Sequence, residues 1–307
     1  MQSIDEDVEM AQEAEKEQTE SYSERRMRMG VEDIDAADAS DPQAVTEYVV
    51  EIMEYMRSIE PDHMPSQTFI NKHSDLSWNS RSLLNNWLVE VHWRYKFYPE
   101  TLYLAVNFLD RYLSEVPTPV TRKNLQLVGT ACLVVAAKFE EIVVPCMGDF
   151  AHITGNNFTE NEIIDMERQV LLVLKFNLNF PSPMTFLRRI SKAEDYDIPT
   201  RTVAKYLMEV TVLHQNFLPY TPSLIAAAST CLARRILKKD GWTNVMEFYS
   251  GYSETELKPC ISHMIQFVQE SNEDFRAVYK KYSSSKFLRA SLFVEQEVRK
   301  HNFDTSA

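Results

Sequence analysis

Glycine is scarce in this chain, with six residues in 307. Tight hairpin turns depend on glycine, so its scarcity argues against a fold rich in β-strands. Cysteine is also rare: the four cysteines form no CxxC pair, and Cys132 and Cys231 lie inside apolar stretches. We therefore expect small core cysteines in a reducing compartment, without disulfides.

Membrane-spanning segments and catalytic motifs are absent from the sequence as well. No apolar run reaches the roughly 20 residues of a membrane span, and the N-terminus is acidic, unlike a signal peptide. The seven histidines show no HExxH spacing, and there is no GxGxxG or Walker loop. The adjacent Glu140 and Glu141 would point roughly 100° apart on a helix, so they form no acid–base pair. We expect no membrane contact, no metal, no cofactor and no catalytic activity.

The net charge of −13 is concentrated near the N-terminus. Residues 1–41 contain fourteen Asp or Glu and four Lys or Arg, which leaves only −3 for the rest of the chain. The first 40 residues contain no leucine and no aromatic residue except Tyr22. Because they offer too little apolar surface to fold alone, residues 1–40 are predicted to be a disordered acidic leader.

Ordered structure is predicted to begin at Asp41, an N-cap residue followed by a proline at the first helical position. A helix over residues 41–58 would carry Tyr48 and Ile52, at i and i+4, on one apolar stripe. Residues 59–76 contain two prolines and are predicted to be an extended connector.

Helix-start signals recur from Trp78 onward. Each is a capping-box pair or an N-cap residue followed by proline. They stand at Thr159/Glu162, Ser253/Glu256, Ser182-Pro183 and Thr221-Pro222. The segments between them have apolar residues at helical spacing, so an all-α fold is predicted.

The segment Leu125–Ile142 is apolar or small until Lys138 and two glutamates arrive at its end. A helix that is apolar all round must be buried on every side, so this segment is predicted to be the centre of a domain. The terminal charges are either solvated at the helix end or paired elsewhere. Four positions have counterparts 99 residues later, either by chance or because the chain holds two copies of one helical domain. Leu125, Cys132 and Leu133 recur as Leu224, Cys231 and Leu232, and the small residue Gly129 corresponds to Ala228.

Several long segments resemble the cyclin family, particularly the B-type mitotic cyclins of fungi. They are residues Arg81–His92, Glu100–Leu113, Leu125–Ile142 and Met166–Leu178, then Phe186–Ala193 and Thr202–Leu213, while Asp41–Met56 resembles the helix before the first cyclin box. The resemblance implies tandem five-helix cyclin-box domains over residues 77–181 and 182–290, followed by a C-terminal tail over 291–307.

The resemblance also implies a function. It indicates a regulatory subunit that binds and activates a cyclin-dependent kinase and helps to recruit its substrates at the G2/M transition, in nucleus and cytoplasm. In cyclins, the residues matching Lys138 and Glu167 lie together at the surface that grips the kinase C-helix. The surrounding contacts carried over are Phe139, Glu141, Ile142, Leu171, Phe176, Leu178, Tyr48 and Ile52. Ordinary core packing is the alternative for Leu171 and Leu178.

Two further sets of residues are carried over from the resemblance. Arg81 and Asp110 match a buried ion pair that joins helices of the first box. The groove that binds RxL-type substrates or inhibitors matches Leu83, Leu84, Trp87, Glu90, Leu125 and Gln126. Leu84, Trp87 and Glu90 are spaced by three residues and share one helix face. Without the resemblance, core packing would be the simpler interpretation of that stripe.

The chain departs from the usual docking pattern at two positions. Ser80 stands where a methionine is usual, and Asn86 stands where an aspartate that would bind the motif's arginine is common. Docking is therefore expected to be weaker or differently selective. An RxxL or KEN degradation signal is also missing before Leu76, so either turnover uses another signal or the leader is truncated.

Two other functions are compatible with a tandem helical fold. A transcription-associated factor with the cyclin fold would bind DNA through clustered cations on the second domain. The candidates are Arg188, Arg189, Arg234, Arg235, Lys238 and Lys239. A helical scaffold that acts without a kinase is the third possibility. We expect a kinase as the partner of this chain, and we expect no binding of nucleic acid.

Overall fold

A computed structural model describes residues 21–270 and 275–301, which contain fourteen α-helices and no β-strand. The helices are α1 Tyr22–Arg28, α2 Val49–Ile59, α3 Trp78–Tyr95, α4 Pro99–Glu115, α5 Arg122–Glu140, α6 Met147–Ile153, α7 Glu160–Val173, α8 Pro183–Lys192, α9 Ile198–Val210, α10 Pro222–Ile236, α11 Asn244–Ser250, α12 Glu254–Gln269, α13 Ala277–Tyr282 and α14 Ala290–His301. The predicted all-α fold is confirmed.

Helices α3 to α7 form the first domain around α5. From Leu125 to Ala137 every side chain of α5 is buried except that of Gln126, which is half-buried. Gly129 lets α3 approach α5 closely, because a Cβ atom at this position would lie only 2.9 Å from the side chain of Leu84 on α3. The buried helix predicted from the apolar run is confirmed, and its charged end reaches the surface.

Helices α8 to α12 repeat this arrangement around α10. Nearly all residues of α10 are buried, including the small residues between Ala226 and Ala233. The central helices of the two domains are therefore the two segments that match across 99 positions. Asn85 of the first domain donates a hydrogen bond of 2.7 Å to the carbonyl oxygen of Val212 in the second, so the domains are in direct contact.

The tail predicted over residues 291–307 is in part a core helix. Val294 and Val298 of α14 are fully buried, and Ser291 Oγ donates to the carbonyl oxygen of Tyr279 at 2.9 Å. The spacing of four residues places the two valines on one face, and α14 packs against α9, α12 and α13. Residues 302–307 lie outside the described residues.

Helix α2 begins at Val49 and not at Asp41, which corrects the predicted range 41–58. Oδ1 of Asp41 accepts a hydrogen bond of 2.9 Å from the amide of Gln43, which closes a turn instead of capping a helix. Val45 then has a φ of +49°, a left-handed conformation that interrupts any helix. Tyr48 is consequently the N-cap of α2 and lies one turn before Ile52.

Residues 21–40 were assigned by composition to the disordered leader, and the structure corrects this. Helix α1 starts with a capping box between Ser21 and Glu24. Val31 is buried against Phe248 and Tyr249 of the second domain. We call residues 22–38 the strap. The predicted leader's residues 1–20 lie outside the described residues.

Ion pairs hold the strap to the second domain. Asp35 accepts hydrogen bonds of 2.7 and 2.6 Å from Arg189 and one of 2.8 Å from Lys192. The hydroxyl of Tyr249 donates to the carbonyl oxygen of Glu32 at 2.6 Å. One buried valine and a few charge-assisted hydrogen bonds thus order a segment whose composition predicts disorder.

Arg81 of α3 and Asp110 of α4 form the pair that the resemblance implies. Nε and Nη2 of Arg81 each lie 2.6 Å from a different carboxylate oxygen of Asp110, and both side chains are buried. Because the two hydrogen bonds are parallel, the pair fixes the orientation of α3 relative to α4.

Candidate binding surfaces

Lys138 and Glu167 form an ion pair at the surface of the first domain. Nζ of Lys138, on the last turn of α5, lies 2.6 Å from Oε1 of Glu167 on α7. The lysine side chain is 47% exposed and the glutamate side chain 11% exposed. Lys138 reaches the surface because it directly follows the last buried residue of α5, Ala137. Half-exposed pairs contribute about 0–1 kcal/mol to stability, so this pair is not needed for the fold.

Large apolar side chains beside this pair face solvent. Phe139 and Ile142 are 53% and 86% exposed, and Phe176, just beyond the end of α7, is 64% exposed. Leu171 and Leu178 are half-buried and pack partly on the core. We call this set the α5–α7 surface: Lys138, Phe139, Ile142, Glu167, Leu171, Phe176 and Leu178. Exposed apolar clusters of this kind mark interaction sites.

The backbone itself holds Phe176 outward. Lys175 and Phe176 both have left-handed φ values, +51° and +56°. The amide of Phe176 donates to the carbonyl oxygen of Leu171 at 3.0 Å, so the chain reverses directly after α7. Left-handed conformations cost roughly 1–2 kcal/mol for residues other than glycine, so this turn is imposed by the surrounding structure and not by the preference of Phe176 itself.

Helix α2 adds a second exposed apolar stripe. Tyr48 and Ile52 are both exposed, and the amide of Ile52 donates to the carbonyl oxygen of Tyr48 at 2.9 Å. Tyr55, which is not among the predicted contacts, is exposed as well, and its hydroxyl accepts a hydrogen bond of 3.1 Å from Nδ2 of Asn179. Its spacing of three residues from Ile52 would have identified it. This contact connects α2 with the segment that follows α7.

Glu141 is turned toward the N-terminus of α4. Its Oε1 accepts hydrogen bonds from the amide of Tyr98 at 2.7 Å and from the hydroxyl of Thr101 at 2.5 Å. Tyr98 is the N-cap of α4, so the carboxylate satisfies a donor at the positive end of that helix. Burial, helped by Glu100 and Glu141, raises the pKa of the neighbouring Glu140. The structural role of Glu141 is thus visible, and its contact with a kinase stays a prediction.

An open groove of about 510 Å³ lies between α3 and the start of α5. Five of the six predicted docking residues line it, namely Leu83, Leu84, Trp87, Leu125 and Gln126. Glu90 is exposed on α3 but is not among the lining residues. Arg122, which the sequence reasoning missed, lines the groove one turn before Leu125, a spacing that would have found it.

The two departures from the docking pattern have structural counterparts. The hydroxyl of Ser80 lies 3.0 Å from that of Ser77, which makes this side of the groove polar. Asn86 is half-buried, and its Oδ1 accepts the amide hydrogen of Ala277 at 2.9 Å. Asn86 therefore joins α3 to the beginning of α13 in the second domain.

The six cations considered for DNA binding are all engaged in ion pairs. The pairs are Arg188–Glu100, Arg189–Asp35, Arg234–Glu194, Arg235–Glu254, Lys238–Glu297 and Lys239–Asp197. A nucleic-acid site needs cations whose charge is not already neutralised by carboxylates. This arrangement disfavours the DNA-binding alternative.

The described residues build neither a metal centre nor a membrane helix. No three or more of their His, Cys, Asp and Glu side chains form a group able to hold a metal ion. None of the helices there is both long enough and apolar enough to cross a membrane.

His92 of α3 is buried near Lys281 of α13. Burial, together with the charge of Lys281, lowers the pKa of His92 to about 4, so this histidine is neutral at physiological pH.

Sequence comparisons identify two matching families. The family described as Cyclin, N-terminal domain matches residues 51–179, and the family described as Cyclin, C-terminal domain matches residues 181–296. The chain is 45% identical to the G2/mitotic-specific cyclin cdc13 of Schizosaccharomyces pombe, over 88% of this chain and 56% of that protein. It is 41% identical to the G2/mitotic-specific cyclin-B2 of Oryzias latipes, over 91% of this chain and 71% of that protein.

A solved structure supports the fold independently. The crystal structure of a viral cyclin from herpesvirus saimiri aligns with a TM-score of 0.59 and 18% identity, over 77% of this chain and 99% of that one. At this identity the likeness shows the fold alone. The chain spans about half the length of several curated fungal relatives that it matches.

Proposed function

This chain belongs to the cyclin family, and we propose that it is the regulatory subunit of a cyclin-dependent serine/threonine kinase at the G2/M transition. It binds the catalytic subunit and activates it, has no catalytic activity of its own, and acts in nucleus and cytoplasm. The observation that carries the proposal is the α5–α7 surface. There, an ion pair that the fold does not need lies among apolar side chains that the core leaves exposed.

The mechanism follows from what a protein kinase requires. A kinase is active only when its β3 lysine pairs with the glutamate of its C-helix. The α5–α7 surface and the stripe on α2 would receive that helix in its inward position. Because burying Phe176 and Ile142 is favourable only when the partner fits, binding shifts the kinase population toward the active state.

Reconstitution tests the proposal directly. The purified chain is added to an inactive monomeric cyclin-dependent kinase, and phosphorylation of a histone substrate is measured. We expect activation, with a loss in the variant Lys138→Ala that the control Lys258→Ala does not show. Lys258 is an exposed lysine on α12, so its replacement removes the same charge elsewhere. If the kinase stays inactive at a saturating concentration of the chain, the result supports the scaffold alternative and overturns the proposal.

The groove between α3 and α5 is proposed to bind RxL-type motifs of substrates or inhibitors. Its apolar floor of Leu84 and Leu125, with Trp87 beside it, suits the leucine of such a motif. No carboxylate is among the residues that line the groove, which supports weak binding of the motif's arginine.

Asn86→Asp tests this selectivity without removing an existing contact, because an aspartate oxygen still accepts the amide hydrogen of Ala277. Titration with an RxL peptide should show tighter binding for this variant, whereas Trp87→Ala should weaken it. If Asn86→Asp leaves the affinity for the peptide unchanged, the proposed selectivity is wrong.

A further inference from the structure

Three arginines meet at a pocket between the strap, α2 and the second domain. The pocket has a volume of about 180 Å³. Arg25 of α1, Arg57 of α2 and Arg189 of α8 line it, so three separate elements contribute one guanidinium group each. We call it the arginine pocket. It is distinct from the surfaces assigned above to the kinase and to docking motifs.

Each guanidinium group of the pocket stacks on an aromatic ring. The central carbon of Arg25 lies 5.8 Å from the ring centroid of Phe248, and that of Arg189 lies 4.9 Å from Tyr249. Arg57 lies 5.7 Å from Tyr252. These are cation–π contacts, which help to position a guanidinium group while its N–H groups can still donate hydrogen bonds to an anion.

The backbone at the pocket is adapted to Arg57. Gly251 has a φ of +74°, and a Cβ atom there would collide with the guanidinium group. Nη2 of Arg57 donates to the neutral carbonyl oxygen of Ser250 at 2.5 Å, and no carboxylate of the described residues forms an ion pair with Arg57. The carboxylate of Glu60 interacts electrostatically with Arg57, but its two oxygens accept hydrogen bonds from Ser223, so the N–H groups of Arg57 have no carboxylate acceptor in the described part of the chain.

The charge and size of the pocket indicate the class of ligand. Its lining residues carry three positive charges and one negative charge, that of Glu54, and Asp35 offsets the charge of Arg189, which leaves a net charge of about +1. A phosphate monoester carries about −1.5 to −2 at pH 7 and offers three acceptor oxygens. A volume of about 180 Å³ is below the roughly 300–1,000 Å³ of sites for drug-sized ligands, so one side chain fits and a nucleotide does not.

We propose that the arginine pocket binds a phosphorylated serine or threonine side chain of a partner peptide. The phosphate accepts hydrogen bonds from Arg25 and Arg57, which have no carboxylate partner in the described part of the chain, while Arg189 stays paired with Asp35. Because Arg25 belongs to the strap, a bound phosphate connects the strap to α2 and strengthens its attachment.

Calorimetric titration of the full chain tests the proposal. The probe is the blocked tripeptide glycine–phosphoserine–glycine, and its unphosphorylated form is the ligand control. We expect binding of the phosphorylated form only, and a loss of at least about tenfold in affinity for Arg25→Ala and for Arg57→Ala. Arg168→Ala removes an exposed arginine from α7 and should leave the affinity unchanged.

The outcomes separate the possible explanations. Arg25 is exposed, so Arg25→Ala tests the pocket even if Arg57→Ala disturbs the fold. Unchanged affinity in Arg25→Ala overturns the proposal. Equal affinity for inorganic phosphate at constant ionic strength would assign the site to a free anion and overturn the peptide assignment. No kinase is present in this titration, so its result does not depend on the proposed function.

Discussion

Phe176 should contribute to kinase affinity and not to the stability of the fold. Its ring is 64% exposed. Fully burying a phenylalanine side chain is worth about 1.5–3 kcal/mol, so burying the exposed part against a kinase corresponds to about 1–2 kcal/mol. Phe176→Ala should therefore raise the Kd for the catalytic subunit by a factor of about 5–30. The free energy of unfolding should change by less than about 0.5 kcal/mol.

Tyr196 provides a matched control for this measurement. Asp195 and Tyr196 have φ values of +51° and +56°, and Tyr196 is 51% exposed after α8, so backbone and exposure resemble those of Phe176. Tyr196→Ala removes an exposed aromatic ring from the second domain, away from the α5–α7 surface. Calorimetry with the kinase subunit gives the affinity, and urea unfolding gives the stability. Equal losses of affinity in the two variants would refute the assignment of Phe176 to the kinase surface.

Three carboxylates give further expected outcomes. Asp110→Ala leaves the guanidinium group of Arg81 buried without its partner and should cost about 3–5 kcal/mol in urea unfolding, most of which Arg81→Met/Asp110→Leu should recover. Glu141→Gln should lower the free energy of unfolding by about 1 kcal/mol, because it weakens the hydrogen bonds at the start of α4. An additional loss of affinity for the kinase subunit would show a kinase contact. Burial works to raise the pKa of Asp35, but hydrogen bonds from its basic partners outweigh it and lower the pKa. The ion pairs of Asp35 therefore stabilise the strap fully above the ordinary aspartate pKa of about 3.9. The amide protection of the strap should be lost as the pH falls through the lower pKa of the folded state. If Asp35→Asn still loses protection over the same pH range, Asp35 is not the cause.

The helical framework was predictable because its signals are local. Thr159 and Ser253 form the capping boxes that their spacing from glutamates predicts. The burial of α5 follows from an apolar run that leaves no face for solvent. Such signals involve residues within one or two helical turns, so a single sequence contains them in full.

The order of the strap was not predictable because its partners are distant in the chain. Asp35 and Arg189 are 154 residues apart, and the hydroxyl of Tyr249 reaches a backbone carbonyl 217 residues away. Composition counts the apolar residues of a segment but does not show which surface will receive them. Asp41 differs, because its partner is local: aspartate favours both helix caps and turns, and here its carboxylate makes a turn where a helix cap is predicted.

The geometry of the candidate site was predictable only in part. The motif match brings Lys138 and Glu167 together, and the structure places them 2.6 Å apart. The motif match does not reveal that Glu141 accepts hydrogen bonds from the start of α4, or that Asn86 accepts one from the second domain. Both side chains are polar residues at the ends or flanks of helices, where a backbone donor competes with any external partner.

Helix α2 is anchored to both domains beside the surface proposed for the kinase. At its C-terminal end, Glu60 is buried and accepts hydrogen bonds of 2.6 and 2.7 Å from the amide and hydroxyl of Ser223 in the second domain. Just beyond, Nε2 of His63 lies 2.9 Å from Oδ1 of Asn177, the residue after Phe176. Helix α2 and the segment that follows Phe176 are therefore linked to each other and to the second domain by hydrogen bonds. Since ordering flexible groups on binding costs free energy, we expect this anchoring to strengthen the binding of the proposed kinase partner.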